Sequence, residues 1–179
     1  SVVPPLTKSF EVLLHSLTGE PPCIVTSACP LGLTLRYDNP EEIGADRLVN
    51  AAAAFAYYQR GLIIVDFGTA TTFDVVDEEG AYSGGLIVPG VNLSLKALHQ
   101  EAAKLPNVDV AKPERVVGQD TISCIQSGVY WGYVSLIEGV CRRVAEERQT
   151  EMKVIATGGL SALFATGTDA IDHVDTELT

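Results

Sequence analysis

The chain has 179 residues, 46% of them hydrophobic and 20% charged, which suits one ordinary globular domain or two small ones and excludes disorder as the main state. Its 12 Lys and Arg against 23 Asp and Glu give a formal net charge of −11, which repels nucleic acid and anionic lipid at long range, so no nucleic-acid partner is expected. Apolar runs such as residues 62–65 and 86–88 fall far short of the roughly 20 residues a membrane helix requires, so no membrane span is expected either.

The opening Ser-Val-Val-Pro-Pro has neither a basic nor an apolar leader region, and the only Met is Met152, so the chain reads as a fragment or a processed product without a secretory signal. Leu6, Phe10, Leu13, Leu14 and Leu17 recur at spacings of three and four, which predicts an amphipathic helix over 6–17 behind the Pro-Pro start. Short strands are predicted at 23–26 and 33–37, followed by a turn at Asp38-Asn39-Pro40. The Ala-rich stretch 45–58 is a strong helix former that ends before Gly61. Residues 62–67, 71–76 and 81–88 then read as three consecutive strands, joined by a Gly-Thr turn and by the acidic turn Asp77-Glu78-Glu79-Gly80.

Helical periodicity returns at 91–103 and, over a longer stretch, at 120–147. Gly128, Gly132 and Gly139 lie inside the longer helix, and each costs roughly 0.5 to 1 kcal/mol relative to Ala, so close approach of another backbone is the expected compensation. A strand at 153–156, a turn at Thr157-Gly158-Gly159, a short helix near 160–164 and a closing strand at 170–174 complete the prediction. Cys23, Cys29, Cys124 and Cys141 show no metal-box spacing, and reduced thiols of this kind point to a cytoplasmic location.

Three stretches could carry chemistry. In Val65-Asp66-Phe67-Gly68-Thr69-Ala70-Thr71-Thr72-Phe73 a carboxylate ends one strand and a Gly-Thr turn opens the next. Such a turn can offer N–H groups and hydroxyls to a phosphate while the acid holds a cation; a plain hairpin with exposed Thr is the competing reading. Gly44-Ala45-Asp46-Arg47 sets an acid beside a guanidinium at a helix start, where Arg can clamp a carboxylate and Asp can accept a hydroxyl proton. Here the alternative is an Asp favoured by the helix dipole beside a solvated Arg. Finally, Gly84-Gly85, Pro89-Gly90 and Gly158-Gly159 let a ligand approach the backbone, though ordinary turns explain each singly.

Taken in order, the motifs resemble those of the type III pantothenate kinases, within the acetate kinase, sugar kinase, Hsp70 and actin superfamily. They are Ser-Val-Val-Pro-Pro-Leu-Thr, Tyr-Asp-Asn-Pro before Gly-Ala-Asp-Arg, Asp-Phe-Gly-Thr-Ala-Thr-Thr, Gly-Gly-x-Ile-x-Pro-Gly, Ala-Lys-Leu-Pro, Val-Val-Gly-x-Asp-Thr, Gln-Ser-Gly and Ile-Ala-Thr-Gly-Gly. The resemblance implies an α/β, ribonuclease H-like (actin-like ATPase) fold, a mixed sheet with flanking helices. Residues 1–61 would be a remnant of the first actin-like domain, including the Gly-Ala-Asp-Arg helix, and 62–179 the second domain. It also implies ATP-dependent phosphorylation of pantothenate to 4'-phosphopantothenate, the first step of coenzyme A biosynthesis, with Mg2+ and K+ or NH4+ as cofactors, in a cytoplasmic homodimer.

By the same resemblance Asp46 is the general base toward the pantothenate hydroxyl, and Gly44, Ala45 and Arg47 line the pantothenate pocket with Tyr37 and Thr121. Asp66 is the monovalent-cation ligand, Thr69 an ATP-phosphate contact, and Gly158 and Gly159 the adenosine-side turn. Two departures stand out. The family's opening Asp-x-Gly-Asn-Thr segment has no match, and the chain stops where a terminal helix would follow, so it reads as truncated at both ends. Cys29-Pro30-Leu31 also replaces the usual Lys-Thr pair. Without the first phosphate segment, the competing expectation is a non-catalytic nucleotide- or metabolite-binding regulator related to the kinase.

Overall fold

The computed structural model describes residues 4–102 and 104–178. Ser1, Val2 and Val3 of the opening motif, Ala103 at the end of a predicted helix, and Thr179 lie outside the described residues. The elements in chain order are α1 (Pro4–Thr18), β1 (Thr34–Leu35), α2 (Ala45–Tyr58), β2 (Leu62–Phe67), β3 (Ala70–Val76), β4 (Ala81–Pro89), α3 (Val91–Glu101), α4 (Thr121–Arg148), β5 (Lys153–Gly158), α5 (Ser161–Ala165) and β6 (His173–Val174).

The six strands form one mixed sheet in the order β1-β4-β3-β2-β5-β6. β2, β3 and β4 are an antiparallel meander, with Leu62 opposite Val76 and Phe73 opposite Leu86, as their apolar and β-branched runs and short turns predict. The acidic turn is closed by its own first residue: the Asp77 carboxylate accepts from the N–H groups of Glu79 (3.0 Å) and Ala81 (2.8 Å). β5 returns parallel to β2, with α3 and α4 carrying the chain between them, and β6 lies parallel to β5. This is the mixed α/β architecture of the actin-like ATPase fold.

Both faces of the sheet are covered, which explains why β2 reads as an unbroken apolar run. Ile63, Val65, Phe67, Phe73 and Val75 face a core shared with α4 and α5, in which Phe164 stacks on Phe67 at 5.1 Å and on Tyr130 at 5.4 Å. Leu62, Ile64, Val76 and Tyr82 face the other core, closed by Leu48, Ala51 and Ala54 of α2. The small Ala side chains let α2 lie close on the strands. Asp120 caps α4 by accepting from the Ser123 N–H at 3.0 Å, and the Ser123 side chain reciprocates.

Three strand expectations are corrected. Residues 23–26 form no strand, because no sheet edge reaches them; they pass beside α1 and α2 instead. The strand predicted at 33–37 keeps only the two residues that meet β4, and the one at 170–174 only the two that meet β5. Within this chain no backbone fills the space at Gly128 or Gly132, where an added Cβ would meet nothing within 4 Å. β1 and α2, which precede residue 62, pack on the sheet that begins there.

Ile137 of α4 is fully buried against the sheet, remote from the polar residues described below. Ile137→Ala is expected to destabilise the chain by about 2–5 kcal/mol, read as a lower urea midpoint with an unchanged slope.

Candidate active site

The polar groups gather on the α2 face of the sheet. Side chains alternate along a strand, so Asp66 of β2 and Thr72 and Asp74 of β3 share that face with Leu62 and Ile64. Asp66 stands directly opposite Thr72. Above them, α2 presents Asp46, Arg47 and Asn50 from its first turns, with Gly44 as its N-cap and Ala45 as its first residue.

Two polar contacts fasten α2 to the sheet. Asn50 Nδ2 donates to Asp66 Oδ2 at 3.0 Å, and Arg47 Nε donates to Asp74 Oδ1 at 2.7 Å. Asn50 and Asp74 are almost wholly buried and Arg47 is 8% exposed, so these contacts are made out of water. Asp46 immediately precedes Arg47 and is held at the helix start, where its Oδ1 accepts from the Arg47 backbone N–H at 2.8 Å.

Asp46 and Ala45 also form one wall of a cleft of about 440 Å³, closed opposite by Phe10 and Leu14 of α1 and by residues 22–25. An acid at the edge of a largely apolar cleft suits a base that takes a proton from a small organic hydroxyl.

The Asp66 carboxyl is pushed above its ordinary range by burial first and by the charge of Asp46 second, while the Asn50 hydrogen bond pulls it back. Its Oδ1 is turned toward Gly158 on the neighbouring strand: a Cβ at Gly158 would lie 2.7 Å from that oxygen and 2.7 Å from the Phe67 carbonyl oxygen. Gly158 also holds φ +87°, so glycine is required there for space and for conformation. Gly159, next to it, opens onto free space, and Thr69 is exposed in the turn that follows Asp66. A carboxylate oxygen, a backbone carbonyl and two Gly-flanked turns at the ends of β2 and β5 are hard oxygen donors that fit a weakly held monovalent cation beside phosphate. Among the described residues no group of three His, Cys, Asp or Glu could hold a metal ion.

The structure therefore brings Gly44, Ala45, Asp46, Arg47, Asp66, Thr69 and Gly158 to one side and one end of the sheet, and sets Tyr37 beside Tyr82 with ring centroids 6.1 Å apart. Thr121 is not brought to them: it opens α4, which packs on the opposite face. Sequence reasoning missed Asn50, Thr72, Asp74 and Tyr82. Two of them left a signal. Asn50 lies four residues after Asp46, hence on the same helix face, and Asp74 is an acid inside the apolar run Phe73-Asp74-Val75-Val76.

The fold and this arrangement define an actin-like ATPase-fold protein built to act on a small molecule beside a phosphate group. A family model for type III pantothenate kinase matches residues 1–143. The type III pantothenate kinase of Rhodospirillum rubrum is 53% identical over 180 residues, covering all of this chain and 70% of the relative. That of Paramagnetospirillum magneticum is 52% identical over 100% of this chain and 69% of its own length, and that of Syntrophotalea carbinolica 46% identical over 100% and 70%. A solved structure from Campylobacter jejuni, described as a Baf family transcriptional activator, is similar in fold, with a TM-score of 0.56 at 24% identity over 82% of this chain; this chain spans 62% of its length. The chain belongs to the type III pantothenate kinase family, enzymes that use ATP to phosphorylate pantothenate in coenzyme A biosynthesis.

Because folding raises the Asp66 pKa, the folded chain holds that proton more tightly than the unfolded chain, and stability is lost as pH rises through the raised value. Asp66→Asn removes the buried charge. Its Tm is expected to exceed the wild-type Tm at about pH 8, with the gain shrinking toward zero as pH falls to about 4, near the ordinary carboxylate value of 3.8. A gain independent of pH would contradict this assignment.

Proposed function

We propose that Asp46 is the general base of pantothenate phosphorylation and that Arg47 holds the substrate's carboxylate, with Gly44, Ala45 and Tyr37 lining the pocket. The observation that carries this reading is the placement of Asp46 on the cleft wall, between a buried guanidinium and the Asp66 end of the sheet. In phosphoryl transfer, positioning and charge neutralisation supply most of the rate. Asp46 accepts the hydroxyl proton as the oxygen bonds to the γ-phosphorus and the bond from that phosphorus to the β–γ bridging oxygen breaks, releasing ADP; the Gly-flanked turns at Thr69 and Gly158-Gly159 accommodate the ATP phosphates and the adenosine side.

Asp66, with the neighbouring Phe67 carbonyl, is the proposed holder of K+ or NH4+. A monovalent cation there offsets the two acids that would otherwise repel a polyphosphate. Mg2+ is expected to come with the ATP phosphates, and a cytoplasmic location fits a coenzyme A biosynthetic enzyme in which no described helix is long and apolar enough to cross a membrane. Residues 62–179 are proposed as the second actin-like domain, with the Gly-Ala-Asp-Arg helix reaching onto it from the segment of residues 1–61.

Thr121 joins the same reading only through a second copy. It opens α4, and that helix has Gly128 and Gly132 exposed with empty space above them. We infer a homodimer packed through this helix, each α4 filling the gaps of the other and each Thr121 reaching the partner's pantothenate.

Two outcomes test these assignments. Asp46→Asn keeps the shape and removes the basicity, so turnover should fall by roughly 10²- to 10⁴-fold with ATP binding little changed. Near-full turnover with ATP, magnesium and potassium supplied would exclude Asp46 as the base. Gly132→Arg fills the open space on α4 without touching this chain's core; light scattering should then report a monomer of unchanged Tm and greatly reduced turnover. A dimer retained in that variant would place the interface elsewhere.

A further inference from the structure

Asp74 has no part in the family resemblance, yet it is the most buried acid described here, with no exposed surface. Its carboxylate is saturated. Oδ1 accepts from Arg47 Nε at 2.7 Å and from the Tyr82 hydroxyl at 2.7 Å, and Oδ2 accepts from Thr72 Oγ1 at 3.2 Å. Thr72 and Tyr82 come from the strand of Asp74 itself and from the next strand, so the acid cannot swing without breaking contacts inside the sheet.

The consequence falls on Arg47. Its Nε is committed to Asp74, and the Tyr82 ring centre stands 5.9 Å from Cζ. Among the described residues no hydrogen bond or ion pair ends on either terminal nitrogen, and neither is among the buried polar atoms left without a partner, so both reach solvent. Gly85 lies close beneath Nη2: a Cβ there would come 3.0 Å from it and would clash with the Phe73 carbonyl oxygen, so only glycine lets the guanidinium and the strand pack this closely. A guanidinium fixed by its Nε edge, with its terminal N–H groups free and accessible, is a preset two-pronged donor for a planar anion.

We propose that Asp74 and Tyr82 are positioning residues for Arg47, holding its guanidinium so that the free terminal nitrogens recognise the carboxylate of the substrate and reject a neutral group in its place. This rests on Arg47 as the carboxylate clamp. Tyr82 braces Asp74 through one hydroxyl and Asp74 braces Nε, so each sets substrate preference without touching substrate. A pair that merely glued α2 to the sheet would affect stability and leave preference alone.

The test compares kcat/KM for pantothenate with that for its carboxamide analogue, whose terminal carboxylate is an uncharged amide, in the full-length protein with ATP. Wild type is expected to prefer the carboxylate by roughly 10²-fold or more, and Arg47→Gln to abolish most of that preference. Tyr82→Phe, which removes one hydroxyl and preserves the packing, should cut the preference by about 3- to 10-fold through a raised KM for pantothenate, with kcat and the KM for ATP within about two-fold. Asp74→Asn should cut it further; if that variant fails to fold, Tyr82→Phe alone decides. Loss of preference in Arg47→Gln with wild-type preference in Tyr82→Phe overturns the positioning role and leaves the clamp standing. Preference retained in Arg47→Gln overturns the clamp, and the positioning role with it.

Discussion

The buried contact between Arg47 and Asp74 governs how the rest of the site is arranged. Two opposite charges withdrawn from water cost several kcal/mol each in desolvation, and a pair of this kind adds little net stability over an apolar replacement. Its contribution is orientation. With Arg47 Nε anchored in the middle of β3 and Asn50 anchored on Asp66 at the end of β2, α2 can neither rotate nor slide by a residue without leaving a buried charge unpaired. Asp46 inherits its position from those two anchors. The helix turn that faces the cleft is thus fixed by its anchors on the sheet, which gives an acid at a helix start the positional precision that the proposed proton transfer requires.

The second constraint is electrostatic. Asp46 and Asp66 approach from opposite elements, and burial together with their mutual repulsion raises the Asp66 carboxyl. The chain carries a net charge of −11, so polyphosphate is repelled before it arrives. Under the proposed function a site with this sign calls for cations, and the Asp66 and Phe67 oxygens close to Gly158 are the proposed place for one. The destabilising carboxylate is coherent with the proposed cation site, where a bound cation would relieve the unfavourable charge.

The sheet separates the two jobs. One face carries α2 and the acid–base groups; the other carries the long α4, the aromatic stack of Phe67, Phe164 and Tyr130, and Thr121 at the helix start. A residue on the far layer cannot cross a six-stranded sheet, so under the proposed function Thr121 and Asp46 would share a substrate only between copies. The uncovered glycines of α4 agree with that division, since a 28-residue helix with backbone exposed at Gly128 and Gly132 is costly unless another surface closes on it.

The sequence by itself determined the local elements and singled out the candidate groups of the proposed site. The Ala run made α2, apolar and β-branched runs with short turns made the β2-β3-β4 meander, and Asp120 began α4, because each depends on neighbours a few residues apart. Asp46, Arg47, Asp66 and Thr69 were legible because their motifs are contiguous. What only the tertiary structure decided was which groups meet. Residues 23–26 have the composition of a strand and no edge to join, and the glycines of α4 turned out to face open space in this chain. Asp74, Tyr82 and Thr72 became parts of one network with Arg47, 27 residues away from Asp74 in sequence. Composition and periodicity encode what a residue prefers nearby; the partner of a buried charge is set by strand register and helix placement, which exist only once the chain has folded.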